Sequence, residues 1–217
     1  MLIAHRANNN HNYLENTKEA VIECLKQKYV DGIEIDIRVT KDKEFVLIHN
    51  ILIDKVSNSS GFVKDKTLKE LKNYKFGDNQ KVSTLEEILN IMNSKILLIE
   101  IKDETNNYKS FIDDFYKKIK KYLYLNTIIC SFNYELLSYL KKVNKNIKCA
   151  LIVNSIFNKD KLYNHLDYKL LSKPNLEHSK DNDFIWTINN INDYNKIKDH
   201  NKKLNVITDV CYKLYEK

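Results

Sequence analysis

The chain has 217 residues but only 3 glycines, 1 proline and 1 tryptophan. No Pro/Gly/Ser-rich stretch interrupts it, so no flexible linker divides it. Turns that normally use glycine must be made by other residues. Arginine is scarce too: Arg6 and Arg38 are the only two among 36 Lys and Arg. No apolar run approaches the roughly 18–20 residues that a membrane span needs. Cys24, Cys130, Cys149 and Cys211 include no C-x-x-C pair, and each lies in or beside an apolar run. Reduced, buried thiols are therefore expected rather than zinc or disulfides. A secretory leader does not fit, because His5-Arg6 follow one short apolar run, and a cytosolic (cytoplasmic) protein is expected. No repeat is detectable.

What is present suits one globular domain over residues 1–217, with 43% hydrophobic residues, 14 Tyr and 8 Phe. The net charge is +7. A basic surface favours anionic partners, yet the lysines are spread as solvated helix faces would spread them. No nucleic-acid motif accompanies them, so no nucleic-acid partner is expected. The charge does leave room for peripheral contact with an anionic membrane.

Short apolar runs alternate with amphipathic stretches, the mark of a parallel α/β fold. Strands are expected at Leu2–Ala4, Ile33–Ile37, Ile96–Ile101, Thr127–Ser131, Lys148–Val153, Asp183–Thr187 and Asn205–Thr208. A weaker one near Asp167–Leu171 makes eight. Helices fit over Asn16–Lys28, Tyr108–Tyr122, Tyr134–Val143 and Ile191–His200. This pattern predicts a single (β/α)8 TIM barrel, near the lower end of its usual length. Residues 39–92 break the alternation. They read as a hairpin turning at Asp42-Lys43, a return arm Phe45–Ile48, and small helices near Leu68–Asn73 and Leu85–Met92. Thr84 is the expected N-cap of the last, with Glu86 and Glu87 in its first turn.

Barrel sites lie at the C-terminal ends of the strands. Glu34 and Asp36 are two apart and share a strand face, as do Glu100 and Lys102. Charges inside apolar strands are costly unless paired or ligating a metal. Glu34, Asp36 and Glu100 together make an all-oxygen set that suits a hard divalent cation, Mg²⁺ or Ca²⁺, rather than zinc. The plain alternative is that they face outward on half-exposed strands. With the turn at Asp42-Lys43, paired numbers sum to about 85, which sets His49 opposite Asp36. His5 reaches the same mouth from the first strand, so the two imidazoles can serve as general acid and base. His11, His165, His178 and His200 read as structural.

These residues, in their order, resemble the glycerophosphodiester phosphodiesterase family. The resemblance rests on Ile3-Ala4-His5-Arg6, Glu15-Asn16-Thr17, Gly32-Ile33-Glu34-Ile35-Asp36-Ile37 with Thr40-Lys41-Asp42, and Phe45-Val46-Leu47-Ile48-His49. Thr84-Leu85-Glu86-Glu87, Ile99-Glu100-Ile101-Lys102, Ser131-Phe132, Trp186-Thr187-Ile188-Asn189 and Ile207-Thr208-Asp209 follow, covering nearly the whole chain. It implies a TIM barrel with a small insertion after the second strand. It further implies one divalent cation on Glu34, Asp36 and Glu100, and His5 and His49 as the acid–base pair. Arg6 and Lys102 would contact phosphate, and Trp186 would line the glycerol pocket or simply pack in the core. The implied reaction is hydrolysis of a small-molecule glycerophosphodiester, such as glycerophosphocholine or glycerophosphoethanolamine, to glycerol 3-phosphate and an alcohol.

Four positions depart from the family. Ala7, Lys43, Asn50 and Val210 stand where Gly, Gly, Asp and Pro are usual. Two other readings compete: a lysophospholipase D-type enzyme acting on lysolipids, and a phosphate-binding barrel without turnover. The sequence leaves open the choice between Mg²⁺ and Ca²⁺, the oligomeric state, and which histidine is the base.

Overall fold

In the computed structural model, which describes residues 1–9, 12–102, 107–155 and 165–215, parallel strands close into a barrel. His11 lies outside the described residues. The strands are β1 (Leu2–Ala4), β2 (Gly32–Val39), β3 (Phe45–Leu47), β4 (Ile96–Ile101), β5 (Thr127–Ser131), β6 (Lys148–Val153), β7 (Tyr168–Ser172), β8 (Phe184–Trp186) and β9 (Asn205–Thr208). The hydrogen-bonded order is β1-β9-β8-β7-β6-β5-β4-β2-β3, and β1 also pairs with β2. Eight parallel strands thus form a closed TIM barrel, with β3 an antiparallel arm on β2.

Alternation along each strand separates two apolar layers. Ile3, Leu98, Ile128, Ile152, Phe184 and Ile207 belong to one cluster, which fills the barrel. Their neighbours Ile33, Ile35, Ile37, Leu97, Ile99 and Ile101 belong to another, which meets the helices. Gly32 sits where strands crowd: a Cβ there would lie 2.7 Å from the Ile96 carbonyl and 2.8 Å from the Ile3 side chain.

The helices are α1 (Lys18–Lys26), α2 (Leu68–Asn73), α3 (Leu85–Leu89), α4 (Tyr108–Ile119), α5 (Tyr134–Val143), α6 (Ile191–His200) and α7 (Cys211–Tyr215). Thr17 caps α1 by accepting from the Ala20 N–H at 3.3 Å. No glycine ends this helix. Instead the Lys95 ammonium crosses over to donate to the carbonyls of Cys24, Gln27 and Val30, which suits a helix C-terminus. Thr84 and Glu87 close a capping box on α3, which ends at Leu89, three residues before the expected Met92. No helix among the described residues is long and apolar enough to cross a membrane.

After β3 the chain builds its own small core of Val46, Ile48, Ile53, Leu71, Phe76 and Val82. Phe45 locks the arm to α4, edge-on to Phe111 at 5.4 Å and Phe115 at 5.6 Å between ring centres. The hairpin corrects one expectation. Ile37 pairs with Leu47, Arg38 with Val46 and Val39 with Phe45, so paired numbers sum to 84. Continued, this ladder sets Ile48, not His49, level with Asp36. The turn holds an extra residue: the Lys43 N–H bonds the Thr40 carbonyl at 3.0 Å, Thr40 pairs with Glu44, and Lys43 takes φ 63°. Such a three-residue loop with a left-handed third residue shifts the register by one.

Candidate active site

The chain leaves β1 through a tight 3₁₀ turn, His5–Ala7, in which Arg6 (φ 54°) and Ala7 (φ 55°) are both left-handed. Ala7 therefore occupies a conformation that glycine adopts freely. The turn aims the Arg6 N–H at Glu34 on β2, which accepts at 2.8 Å through Oε2. The other oxygen of Glu34, Oε1, is buried with no hydrogen-bond partner.

Asp36, also buried, is held from two sides. Asn16, left-handed at φ 59° just before α1, donates to Asp36 Oδ2 at 2.8 Å and accepts the Asp36 N–H at 2.9 Å. Lys102, one residue past β4, meets Asp36 Oδ1 at 2.9 Å and pairs closely with Glu100. Glu34, Asp36 and Glu100 each bring a carboxylate oxygen within 4.8 Å of the other two. β2 and β4 pair Asp36 with Glu100 directly, which creates this proximity. Such a set, with one buried oxygen unsatisfied, fits a hard divalent cation. Burial and mutual repulsion push Glu34 and Glu100 up from the ordinary carboxylate range. Burial opposes ionisation of Asp36 as well, but Lys102, His49 and Arg6 hold it down.

His5 lies at the end of β1 with its Nδ1 2.8 Å from Asp209 Oδ1, just past β9. An ionised carboxylate only accepts, so Nδ1 donates. Burial pulls the His5 pKa down, but the Asp209 bond and the charge of Glu34 prevail and raise it. His49 lies two residues beyond β3. Its carbonyl accepts from Arg38 at 3.0 and 2.6 Å, and its Nδ1 lies 3.0 Å from the Asn50 amide oxygen. Burial leads the causes that lower the His49 pKa. Arg6 bonds Glu15 at 2.9 Å, and its buried Nε has no hydrogen bond.

His5, Arg6, Glu34, His49, Glu100 and Lys102 line one side of a cavity of about 220 Å³. Phe132, Ile152, Leu170, Trp186 and Ile207 line the rest. Trp186 anchors its indole N–H on the Leu170 carbonyl at 3.0 Å and meets the exposed Phe132 edge-on. His5, Arg6, Glu34, Asp36, His49, Glu100, Lys102 and Trp186, the site residues expected from the sequence, thus gather at one end of the barrel. Asp209, Asn16 and Arg38 join as supports; the first two stand within motifs of the resemblance, while no local pattern marked Arg38. Glu15-Asn16-Thr17 leads into α1, and two of its three side chains also serve the cavity.

Fold and mouth together define a class, the parallel barrels with an acidic, imidazole-flanked site at their strand ends. Within it the chain belongs to the glycerophosphoryl diester phosphodiesterase family, whose sequence model matches residues 5–209. It is 36% identical over 162 residues to a glycerophosphodiester phosphodiesterase of Caldanaerobacter subterraneus, covering 70% of this chain and 66% of that one. To YhdW of Bacillus subtilis it is 29% identical over 212 residues, 87% of this chain and 86% of that one. Among solved structures, an Oleispira antarctica phosphodiesterase in complex with sn-glycerol-3-phosphate superposes with a TM-score of 0.89 at 19% identity. That match covers 100% of this chain and 95% of that one. A Thermotoga maritima glycerophosphodiester phosphodiesterase gives 0.79 at 24%, covering 97% and 94%. At such identities the likeness is one of fold.

Proposed function

We propose that this chain hydrolyses glycerophosphodiesters such as glycerophosphocholine and glycerophosphoethanolamine, releasing glycerol 3-phosphate and the alcohol. One observation carries the reading. Three mutually close carboxylates, one with a buried unsatisfied oxygen, share a cavity with two imidazoles and two cationic side chains. The family, the named relative and the product-bound neighbour support it.

A phosphodiester resists attack because its negative charge repels nucleophiles. Glu34, Asp36 and Glu100 would hold Mg²⁺ or Ca²⁺, which when bound neutralises charge on the phosphoryl oxygens. Arg6 offers a planar guanidinium and Lys102 a point charge, so both hold the phosphate as its charge builds. His49, whose pKa is lowered, takes the proton from the attacking oxygen, either water or the neighbouring glycerol hydroxyl. His5, whose pKa is raised, gives its Nε2 proton to the departing alcohol as the phosphorus–oxygen bond breaks. Attack by the hydroxyl gives a cyclic phosphate, which water opens with the two roles reversed. Trp186 and Phe132 shape the apolar wall against the carbon skeleton.

The test is release of glycerol 3-phosphate from both substrates with Mg²⁺, with Ca²⁺ and with EDTA, beside Glu34→Ala. We expect release that needs a cation and is lost in the variant. Release only from long-chain lysolipids would move the substrate class. No release from any substrate, with phosphate still bound, would identify a binding protein.

A further inference from the structure

The His5 imidazole has two nitrogens, and only one can face the cavity while the other meets Asp209. We propose that Asp209 is a positioning residue that fixes His5 as the Nδ1–H tautomer, so that Nε2 is the atom that exchanges protons with substrate. The proposal rests on the hydrolase reading for its kinetic consequence and on geometry for its structural one.

Asp209 is itself held firmly. Its Oδ2 accepts from the Asn189 side-chain amide at 2.7 Å, while Oδ1 accepts from His5 at 2.8 Å. The Asn189 amide oxygen in turn accepts from the Asp209 N–H at 2.9 Å and the Thr208 hydroxyl at 3.1 Å. The carboxylate is therefore aimed by a closed set of bonds between the end of β9 and the segment after β8. An imidazole ring turns about χ2 between two broad, nearly equivalent positions. A fixed acceptor on one nitrogen selects one of them and dictates the tautomer. Removing it frees the ring to present either nitrogen. Neither Asp209 nor Asn189 lines the cavity, so their influence passes through His5.

Imidazole ¹⁵N NMR of the full chain, at a pH where the rings are neutral, reads the tautomer directly. The His5 signal is identified by its loss in His5→Gln. We expect Nδ1–H in the wild type, a shift toward Nε2–H in Asp209→Ala, and a smaller shift in Asn189→Ala. With saturating cation and glycerophosphocholine, Asp209→Ala should lower kcat about ten- to a hundredfold with KM nearly unchanged. Asp209→Glu should restore part of it. An unchanged tautomer in Asp209→Ala, or a rise in KM with wild-type kcat, overturns the proposal. Should Asp209→Ala fail to fold, Asn189→Ala and Asp209→Glu report the same two quantities. Absence of turnover in the wild type would remove the hydrolase reading alone, because the tautomer still decides the role of Asp209.

Discussion

At position 50 the group that pins His49 is a neutral amide, whereas the group that pins His5 is a carboxylate. A carboxylate stabilises imidazolium and an amide does so only weakly. That contrast suits one ring to give protons and the other to take them. Activity should then peak between the two values, with His49 below the ordinary 6.5 and His5 above it. Asn50→Asp supplies a charge to His49 and raises its pKa. The acidic limb of the kcat/KM profile should move to higher pH, and an unmoved limb would separate His49 from the base role. The residue types were legible in the sequence because Glu34, Asp36 and Glu100 violate the apolar character of their strands and Lys102 directly follows one. Asp209 was legible only as a strand end, because its partner His5 lies 204 positions away and no local periodicity spans such a distance.

The elements show how a chain with 3 glycines makes its turns. Asn16, Asn79 and Asn182 take left-handed conformations, which asparagine tolerates better than most residues, but Lys43 takes one without that advantage. Lys43→Gly should relieve about 0.5–1 kcal/mol net, the left-handed penalty less the entropy that glycine adds to the unfolded chain. Calorimetry should show Tm raised by about 1–4 °C. The lost ion pair with Asp114, 3.4 Å long on a mostly exposed lysine, offsets little of this. A Tm below wild type would place the strain elsewhere. The same turn explains the one wrong register. The apolar run Phe45–Ile48 identified the arm, but hydropathy does not distinguish a two-residue from a three-residue loop. The barrel strands were easier to read, since burial on both faces makes runs such as Ile96–Ile101 nearly continuous. Even the weakest expectation, Asp167–Leu171, fell within one residue of β7.

For the molecule as a whole, the carboxylate cluster links stability to pH and to cations. Folded Glu34 and Glu100 hold protons that the unfolded chain gives up near 4.5. Without a divalent cation, stability should therefore fall as pH rises from about 4.5 toward neutrality. Asp36, held low, acts in the opposite sense only below its ordinary 3.8. A cation at a hundred times its Kd adds about 2.7 kcal/mol, which raises Tm by on the order of 5–10 °C in a domain of this size. Melting curves at pH 5 and 8, with and without Mg²⁺ or Ca²⁺, test both effects. A cation that leaves Tm unchanged at pH 8 would deny the cluster its metal. The closure of β1 against β9 carries a final consequence. As a ribosome emits this chain, His5 appears 204 residues before Asp209. The ring waits while the other barrel strands are made for the carboxylate that orients it, so a half-made barrel has its histidine but not the means to aim it.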